Sequence, residues 1–553
     1  MFVTAPRWNV AHDCQIVAWM ATLISTRAPS SRRRSLPLGA PRLAAVAALG
    51  AIVVYCAVLA FRAVELSSAT FLNADPPGAV YEAVSLFHGA TIALHTEILP
   101  TLLEGVFLGL PGGHLAIQLL GPLLGLATIA LMCWTVRRLD GTWLATAVAG
   151  TAAGPILLWS VLFPTARVLS FLTAALLAYA LCTLTLGRGR RSLLVGCGVA
   201  AGIATVGDQG FLAIGIVPLL IAGGALWTVR HNRYDARAIV GILALAGAVT
   251  VFGEVGLRVL GVRLVADPFV WSPGVGTVPL ATGVADAIRT LGDMVGGQWS
   301  GSVLSQPWSS LAFAAGLAVP LVAPAALIQE LRRRAVSDVE AGRVAYLFFW
   351  TTADILVLAA CVIFGYSVNA WSAHYLLPCY LSAVAALPFV APARSRSVPT
   401  FVAAILAVVQ AVGLLSMPSA DFSGPHPPTD AARVVATLEA AGLTKGYADY
   451  WASHPLTWLS GETVRVYPVD IAGCGTTPSI CRYQYADDAW YTVVPGRTFL
   501  ILRRSWPCVS DAPTTVLGRP QQIIRVNADT TINVYGYDIA ARLAPQIRSI
   551  CAN

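Results

Sequence analysis

Residues 42–62 read RLAAVAALGAIVVYCAVLAFR, an uninterrupted apolar run with an arginine at each end. A helix rises about 1.5 Å per residue, so about 20 apolar residues cross the roughly 30 Å hydrocarbon core of a bilayer. The whole chain of 553 residues is 56% hydrophobic and only 12% charged, with a mean hydropathy of +0.69. An ordinary soluble domain has about twice that share of charged residues. Lipid is therefore the main solvent of this protein.

Apolar runs of similar length recur as far as residue 416 and predict an α-helical polytopic membrane protein with about eleven transmembrane helices. The predicted spans are 42–62, 112–134, 142–163, 168–187, 191–207, 211–229, 238–260, 309–331, 344–365, 375–392 and 398–416.

Short arginine clusters between the spans indicate which side of the membrane each loop occupies. If the N-terminus is cytoplasmic, every predicted inside loop has a basic cluster, at 137–138, 188–191, 230–237, 332–334 and 394–396. This is the charge asymmetry that orients membrane proteins. An odd number of spans then places everything after Met417 outside. The same clusters explain the formal net charge of +8, so the expected partner is a lipid bilayer and no nucleic acid is expected.

The composition divides the chain into three regions. Residues 1–41 contain Arg32-Arg33-Arg34 among Ser and Pro and predict a disordered, basic cytoplasmic leader. Residues 42–417 form the transmembrane domain, which has two long outside loops, 63–111 and 261–308. Residues 418–553 lose the long apolar runs and predict a small extracytoplasmic α/β domain. Its predicted elements are a helix capped by Thr429 or Asp430 and ending near Gly442, and strands at 464–469, 490–494, 499–502, 522–526 and 531–535.

Four of the eleven cysteines lie in this C-terminal region: Cys474, Cys481, Cys508 and Cys551. An even number of cysteines in an oxidising compartment predicts up to two disulfides, with three pairings open. Cys474 with Cys481 is the most local pairing, because the intervening Gly-Thr-Thr-Pro can turn. Four free buried thiols are the alternative.

Asp75 is the most promising carboxylate in the first outside loop. Pro76 and Pro77 follow it and fix the backbone. A carboxylate on a stiff turn near the membrane surface suits a general base or a metal ligand. Its structural alternative is to cap a helix that starts near Pro76, and the two roles are compatible. Glu82 falls about two helical turns further along and is a candidate substrate-binding residue.

Three more ionisable residues follow in the same loop: His88, His95 and Glu97. Their spacings match no metal-ligand geometry, so no metal ligands are predicted among them.

Polar residues at the outer ends of later spans are the other site candidates. Arg167 opens the fourth span on the outside, where it could bind a phosphate or place its guanidinium in the interface. Asp208 precedes the sixth span and either caps that helix or faces an outside cavity. His374 and Tyr375 begin the tenth span and could contact a phosphate or a sugar.

Several motifs that would indicate other functions do not occur in this sequence. It contains no Walker-type loop, no dinucleotide glycine fingerprint, no His-Glu-x-x-His and no serine-hydrolase elbow. The spans also lack the chains of charged residues and the internal repeat that are typical of proton-coupled carriers. A pump or a secondary carrier is therefore disfavoured.

The order of these features resembles the C-type integral membrane glycosyltransferases, which use polyprenyl-phosphate sugars. Asp75 occupies the place of that superfamily's catalytic carboxylate in the first loop. Pro164-Thr165-Ala166-Arg167 is similar to the segment after the third span in the dolichyl-phosphate-mannose and aminoarabinose transferase branch. His374-Tyr375-Leu376-Leu377-Pro378 resembles that branch's Arg-Tyr-x-x-Pro segment, with His in place of Arg.

The resemblance implies a hexosyl- or pentosyltransferase that moves a sugar from a polyprenyl-phosphate donor to an envelope glycan or lipid acceptor. The compact C-terminal region without a visible retention signal favours a bacterial inner membrane over a eukaryotic one. Arg167 and His374 would hold the donor phosphate, and Asp75 would be the base. The resemblance requires no cofactor and leaves a divalent metal at Asp75 open. The alternative is a non-catalytic protein that binds or translocates a lipid-linked glycan, with aromatic residues of the C-terminal domain stacking on sugars.

Overall fold

The computed structural model describes residues 40–70, 72, 75–87, 93–94, 98–152, 158, 167–208, 210–230, 233–264, 279–295, 307–333, 337–364, 375–391, 395, 397–416, 428–472, 479–483, 487–504 and 512–543. The predicted leader lies outside these ranges up to residue 39.

The N-terminal three quarters of the described chain is almost entirely helical. Its helices are α1 (Ala40–Thr70), α2 (Asp75–Phe87), α3 (Ile98–Leu108), α4 (Gly113–Arg138), α5 (Trp143–Thr151), α6 (Val168–Thr185), α7 (Arg191–Gly207), α8 (Val217–Arg230, preceded by a π-helical turn over Leu212–Ile216), α9 (Arg233–Val259), α10 (Leu280–Met294), α11 (Pro307–Arg332), α12 (Asp338–Phe364), α13 (Leu377–Val390) and α14 (Ser397–Ser416).

Seven of the described helices are long and apolar enough to cross a membrane: α1, α4, α6, α9, α11, α12 and α14. Each coincides with one of the predicted spans. The other predicted spans contain the shorter helices α5, α7, α8 and α13, so the count of eleven is not confirmed by helix length. The multi-pass helical membrane architecture itself is established by these helices.

The first helix is longer than predicted and runs past the expected membrane boundary to Thr70. Arg62 therefore lies inside α1 and is buried. Its guanidinium donates to Glu65 at 3.0 Å and to the Leu414 carbonyl in α14 at 2.6 Å. These partners satisfy the charge, so the helix continues where the sequence pattern suggested an end.

The two long loops contain regular structure that hydropathy does not reveal. The first carries α2 and α3, which pack on each other, and the second carries the amphipathic helix α10. Strand β1 (Ala93–Leu94) of the first loop pairs in parallel with strand β2 (Arg263–Leu264) of the second. The two loops are therefore on the same side of the molecule, as the predicted topology requires.

Helix α6 lies at the centre of the membrane part. It contacts α4, α7, α8 and α12, and most of its residues are buried. Because α6 is enclosed by other helices, its first residue is held in a fixed position at one end of the bundle. The residue that precedes it is Arg167.

The C-terminal region is a mixed six-stranded sheet with strand order β5-β4-β3-β6-β8-β7. The central strand β3 runs parallel to β4 and β6, and the other pairs are antiparallel. The elements are α15 (Ala431–Ala440), β3 (Lys445–Ala448), α16 (Tyr450–Leu459), β4 (Arg465–Ala472), β5 (Ser479–Arg482), β6 (Thr498–Arg503), α17 (Ala512–Leu517), β7 (Gln522–Arg525) and β8 (Thr530–Tyr535).

Two details of this region differ from prediction. The segment 490–494 is not a strand, because the Asp487 side chain accepts from Ala489 N at 2.8 Å and starts a 3₁₀ turn over Asp488–Tyr491. Asp430 precedes α15 as expected, but its side chain makes no capping hydrogen bond. Its carboxylate accepts instead from the Asn527 amide at 3.1 Å.

Candidate functional site

Arg167 is the N-cap residue of α6 and has a left-handed backbone, with φ at 66° and ψ at 18°. A non-glycine residue in this region is uncommon and carries some strain. The conformation places an arginine, rather than a small capping residue, at the start of the central helix. About a quarter of its side chain is exposed.

Asp208 is brought to Arg167 by the next helix along the chain. It follows the last residue of α7, and its Oδ1 accepts from Gly210 N at 2.9 Å, which shapes the turn into the π-helical segment. The other carboxylate oxygen, Oδ2, lies 3.3 Å from Arg167 Nε. Asp208 is almost completely buried, so this ion pair is shielded from solvent.

Tyr375 completes the cluster from a third part of the chain. The Arg167 guanidinium carbon lies 5.3 Å from the centre of the Tyr375 ring, which is a cation–π distance. A Cβ on Gly210 would lie 3.3 Å from the same guanidinium carbon, so this position favours glycine. Three of the residues predicted from sequence as binding candidates, Arg167, Asp208 and Tyr375, thus meet at one place.

This arrangement is suited to holding an anion. A guanidinium presents five donors in a planar fork that matches phosphate oxygens, and its orientation here is fixed by one carboxylate and one aromatic ring. The preceding Pro164-Thr165-Ala166 and the adjacent His374 lie outside the described residues. The predicted role of His374 stays a prediction.

Asp75 is the first residue of α2, one position after the N-cap, where the helix dipole favours a carboxylate. Its side chain lies outside the described residues, so its role as base stays a prediction. Glu82 lies on the same helix and is buried, with only 5% of its surface exposed.

A small apolar cluster links α2 to the segment that carries Asp208. Leu86 near the end of α2 packs in the same cluster as Ile98 of α3, Val262 and Val206. Val206 is two residues before Asp208. The loop that contains Asp75 is therefore packed against the helix end that fixes Arg167.

The C-terminal domain also contacts this loop, through α16. His454 of α16 is buried among aromatic rings, with its ring centre 6.1 Å from Tyr81 of α2 and 5.6 Å from Trp490. A Cβ on Gly78 would lie 3.1 Å from His454 Cδ2. One turn further, the Trp458 ring lies against His114, with ring centres 4.2 Å apart and planes inclined by 42°. The domain is thus fixed on the helix that begins at Asp75.

Burial among these rings lowers the pKa of His454 to about 3. Its Nε2 has no hydrogen-bond partner among the described residues. The imidazole therefore acts as a neutral aromatic ring in this contact.

The sequence leaves a divalent metal at Asp75 open and predicts up to two disulfides in the C-terminal region. No group of three or more His, Cys, Asp or Glu side chains in the described ranges could hold a metal ion. His88, His95 and Glu97 lie outside those ranges. Cys481 is disulfide-bonded, while Cys474, Cys508 and Cys551 lie outside the described residues, so the pairing stays a prediction.

Sequence reasoning missed the residues that join the domain to the loop. Gly78, Tyr81 and His454 are not among the predicted site residues. Of the aromatic residues considered for sugar stacking, Tyr447, Trp458 and Trp490 are buried. The Pro-Pro-Gly at 76–78 was the available signal, since a glycine one turn into a helix often marks a close approach.

Fold and site together define a multi-pass membrane protein with a mixed α/β C-terminal domain. No family model and no curated protein matches the chain. A solved structure to which it is similar is the crystal structure of ArnT from Cupriavidus metallidurans in the apo state, with 13% sequence identity and a TM-score of 0.42 over 89% of this chain and 99% of that chain.

Proposed function

We propose that this protein is a membrane glycosyltransferase that moves a hexosyl or pentosyl group from a polyprenyl-phosphate donor to a cell-envelope acceptor on the extracytoplasmic face. The observation that carries the proposal is the meeting of Arg167, Asp208 and Tyr375 at the outer end of the central helix. An oriented guanidinium at that depth suits the phosphate of a lipid-linked sugar, since the phosphate lies at the interface and the polyprenyl chain lies in the bilayer.

The reaction would be a single displacement at the anomeric carbon. An acceptor hydroxyl oxygen forms a bond to that carbon while the bond from carbon to phosphate oxygen breaks. Asp75 takes the hydroxyl proton, and the polyprenyl phosphate leaves with the electron pair and an added negative charge. Arg167 stabilises that charge more strongly in the transition state than in the bound donor.

The accompanying topology is eleven spans with a cytoplasmic N-terminus in a bacterial inner membrane. It would place the first long loop, the Arg167 cluster and the C-terminal domain on one side. The pairing of β1 with β2 and the contact of α16 with α2 support this arrangement.

The non-catalytic alternative, a protein that binds or translocates a lipid-linked glycan, is favoured by one feature. Asp75 and Leu86 are eleven residues apart on α2, which is roughly 16 Å of helix. The apolar cluster at Leu86 is what joins α2 to the segment of Asp208. A base that acts on a sugar held by Arg167 must reach it across this distance.

Transfer assays with the purified protein and a panel of polyprenyl-phosphate sugars test the proposal. We expect Asp75→Asn to lower kcat by about 10²- to 10⁴-fold, the usual contribution of a general base. Arg167→Gln should weaken donor binding as well as turnover. Asp140→Asn is a matched control, because Asp140 is an exposed carboxylate with φ at 57°, a conformation that asparagine tolerates.

Full transfer by Asp75→Asn would show that Asp75 is not the base. Donor binding by the folded wild type without any transfer, and lost in Arg167→Gln, would establish the non-catalytic alternative.

A further inference from the structure

A groove with a volume of about 350 Å³ opens on the C-terminal domain, beside the start of β3 and β4. It lies outside the Arg167 cluster and was not singled out in the sequence. The lining residues that matter for binding are Lys445, Glu462, Arg465, Tyr467, Thr444 and Thr492.

Each cationic side chain that lines the groove lies within 4 Å of a carboxylate. Lys445 Nζ lies 2.9 Å from Asp538 Oδ2 and donates to the Thr492 carbonyl at 2.8 Å. Arg465 and Glu462 are 3.9 Å apart, and 61% of the Arg465 side chain is exposed. Two cations therefore face two carboxylates, and the sum of charge is zero. This balance disfavours a strongly anionic ligand such as a free phosphate.

The Arg465–Glu462 pair is weak, because a long and exposed ion pair contributes little stability. Both groups can therefore turn toward a ligand at small cost. A guanidinium donates to two oxygens, and a carboxylate accepts from two hydroxyls. Neighbouring hydroxyl groups on a sugar ring offer both kinds of partner.

An aromatic side chain forms one wall of the groove. Tyr467 lines it and stacks on Trp490, with ring centres 5.6 Å apart and planes inclined by 19°. The stacking holds the Tyr467 ring in place, so the wall exists before any ligand arrives. A rigid aromatic surface beside a few convergent polar groups is typical of small-ligand sites.

The groove adjoins the helix of Asp75. Burial raises the pKa of Tyr81 well above its usual range, the Glu462 carboxylate raises it further, and Arg465 opposes both. Tyr81 of α2 packs on the same apolar cluster of the C-terminal domain as Tyr467, which lines the groove. The Tyr81 hydroxyl is buried and has no hydrogen-bond partner among the described residues. Tyr81 is six residues from Asp75, roughly 9 Å along the helix.

We propose that this groove binds a neutral glycan chain through neighbouring hydroxyl groups, with Arg465 and Glu462 as polar contacts and Tyr467 as the aromatic wall. That this glycan is the transfer acceptor rests on the function proposed above. The binding itself does not depend on that function. The groove would hold the chain beside α2, with one end directed along the helix toward Asp75.

Equilibrium binding to the full chain in nanodiscs tests this inference. The probes are neutral trisaccharides of glucose, galactose, mannose and arabinose, detected by saturation-transfer NMR, with inorganic phosphate as competitor. At least one trisaccharide should bind, and Arg465→Gln and Glu462→Gln should each weaken it about tenfold, the loss expected for one hydrogen bond to a charged group. Arg525→Gln is the matched control, because Arg525 is an exposed arginine of β7 at the opposite side of the sheet.

The outcomes separate this inference from the proposed function. If a trisaccharide binds in a manner that depends on Arg465 but the protein has no transfer activity, the glycan-binding inference stands and the proposed transferase function is wrong. If the protein transfers sugar but binds no trisaccharide, the inference that the groove binds the acceptor glycan is wrong. Equal weakening by Arg465→Gln and Arg525→Gln, or displacement by millimolar phosphate, would also overturn the inference.

Discussion

At the residue scale, Arg167 shows how a local irregularity can position a functional group. Its left-handed backbone is strained, and the ion pair with Asp208 and the ring of Tyr375 hold it there. The sequence identified each of these residues by its place at the outer end of a span. It left open whether Arg167 would have a partner, and the structure supplies a buried carboxylate.

His454 gives a pH prediction at the same scale. Its folded pKa of about 3 lies below the value of about 6.5 for an unfolded histidine. Between these values the unfolded chain takes up a proton that the folded chain does not, so stability falls as pH is lowered from about 6.5 toward 3, with a maximal slope of about 1.4 kcal/mol per pH unit.

We expect His454→Phe to remove this component while keeping a ring between Tyr81 and Trp490. Thermal unfolding of the detergent-solubilised protein at pH 7, 5.5 and 4.5 measures it. The variant should match the wild type or exceed it at pH 7, because it removes a buried nitrogen without a partner. Identical pH dependence in the two proteins would contradict the neutral, buried role of His454.

At the element scale, the contact of α16 with α2 determines how the C-terminal domain meets the membrane part. Helix α16 is itself held by Asp449, whose side chain caps Ala452 N and accepts from Arg503 of β6 at 2.8 and 2.7 Å. Because α16 is fixed to the sheet, its other face provides a rigid surface for α2. Gly78 permits the close approach at that surface.

A side chain at Gly78 should disturb this contact. We expect Gly78→Val to reduce the free energy of unfolding by about 1–3 kcal/mol through overpacking against His454. Hydrogen exchange should rise in α2 and α16 and stay unchanged in α9. In the background of His454→Ala, Gly78→Val should reduce the free energy of unfolding by less, because the ring that the new side chain would meet is absent. Equal reductions in both backgrounds would show that the effect does not arise from contact with His454.

The bounds of the strands and helices in the C-terminal domain show where hydrophobic periodicity predicts the structure correctly. Strands β4, β6, β7 and β8 and helix α15 fall where alternation and helical spacing predicted them. The segment 490–494 is predicted as a strand because Trp and Tyr favour strands, but the hydrogen bond from Ala489 N to the Asp487 side chain begins a 3₁₀ turn that extends to Tyr491. The strand β3 was missed because Lys445–Ala448 contains a glycine and no β-branched residue, whereas β7, which is equally short, contains two isoleucines.

At the scale of the whole molecule, the arginine clusters predict one orientation in the membrane. Single cysteines at Asp488 and Arg190 test it, because both positions are exposed and lie on opposite predicted sides. In intact spheroplasts a membrane-impermeant maleimide should label Asp488→Cys above the wild-type background and should reach Arg190→Cys only after lysis. Labelling in the reverse order would mean that the topology is inverted.

The sequence by itself determined the class of the protein, because apolar length and charge are properties of short, contiguous segments that lipid and water sort directly. It also located the individual site candidates, since an ionisable residue beside an apolar run can be recognised from the sequence alone. Only the tertiary structure decided that Arg167, Asp208 and Tyr375 meet, that α16 covers the helix of Asp75, and that a groove forms beside Tyr467. These contacts join residues far apart along the chain, and they depend on how helices pack, which no local pattern encodes.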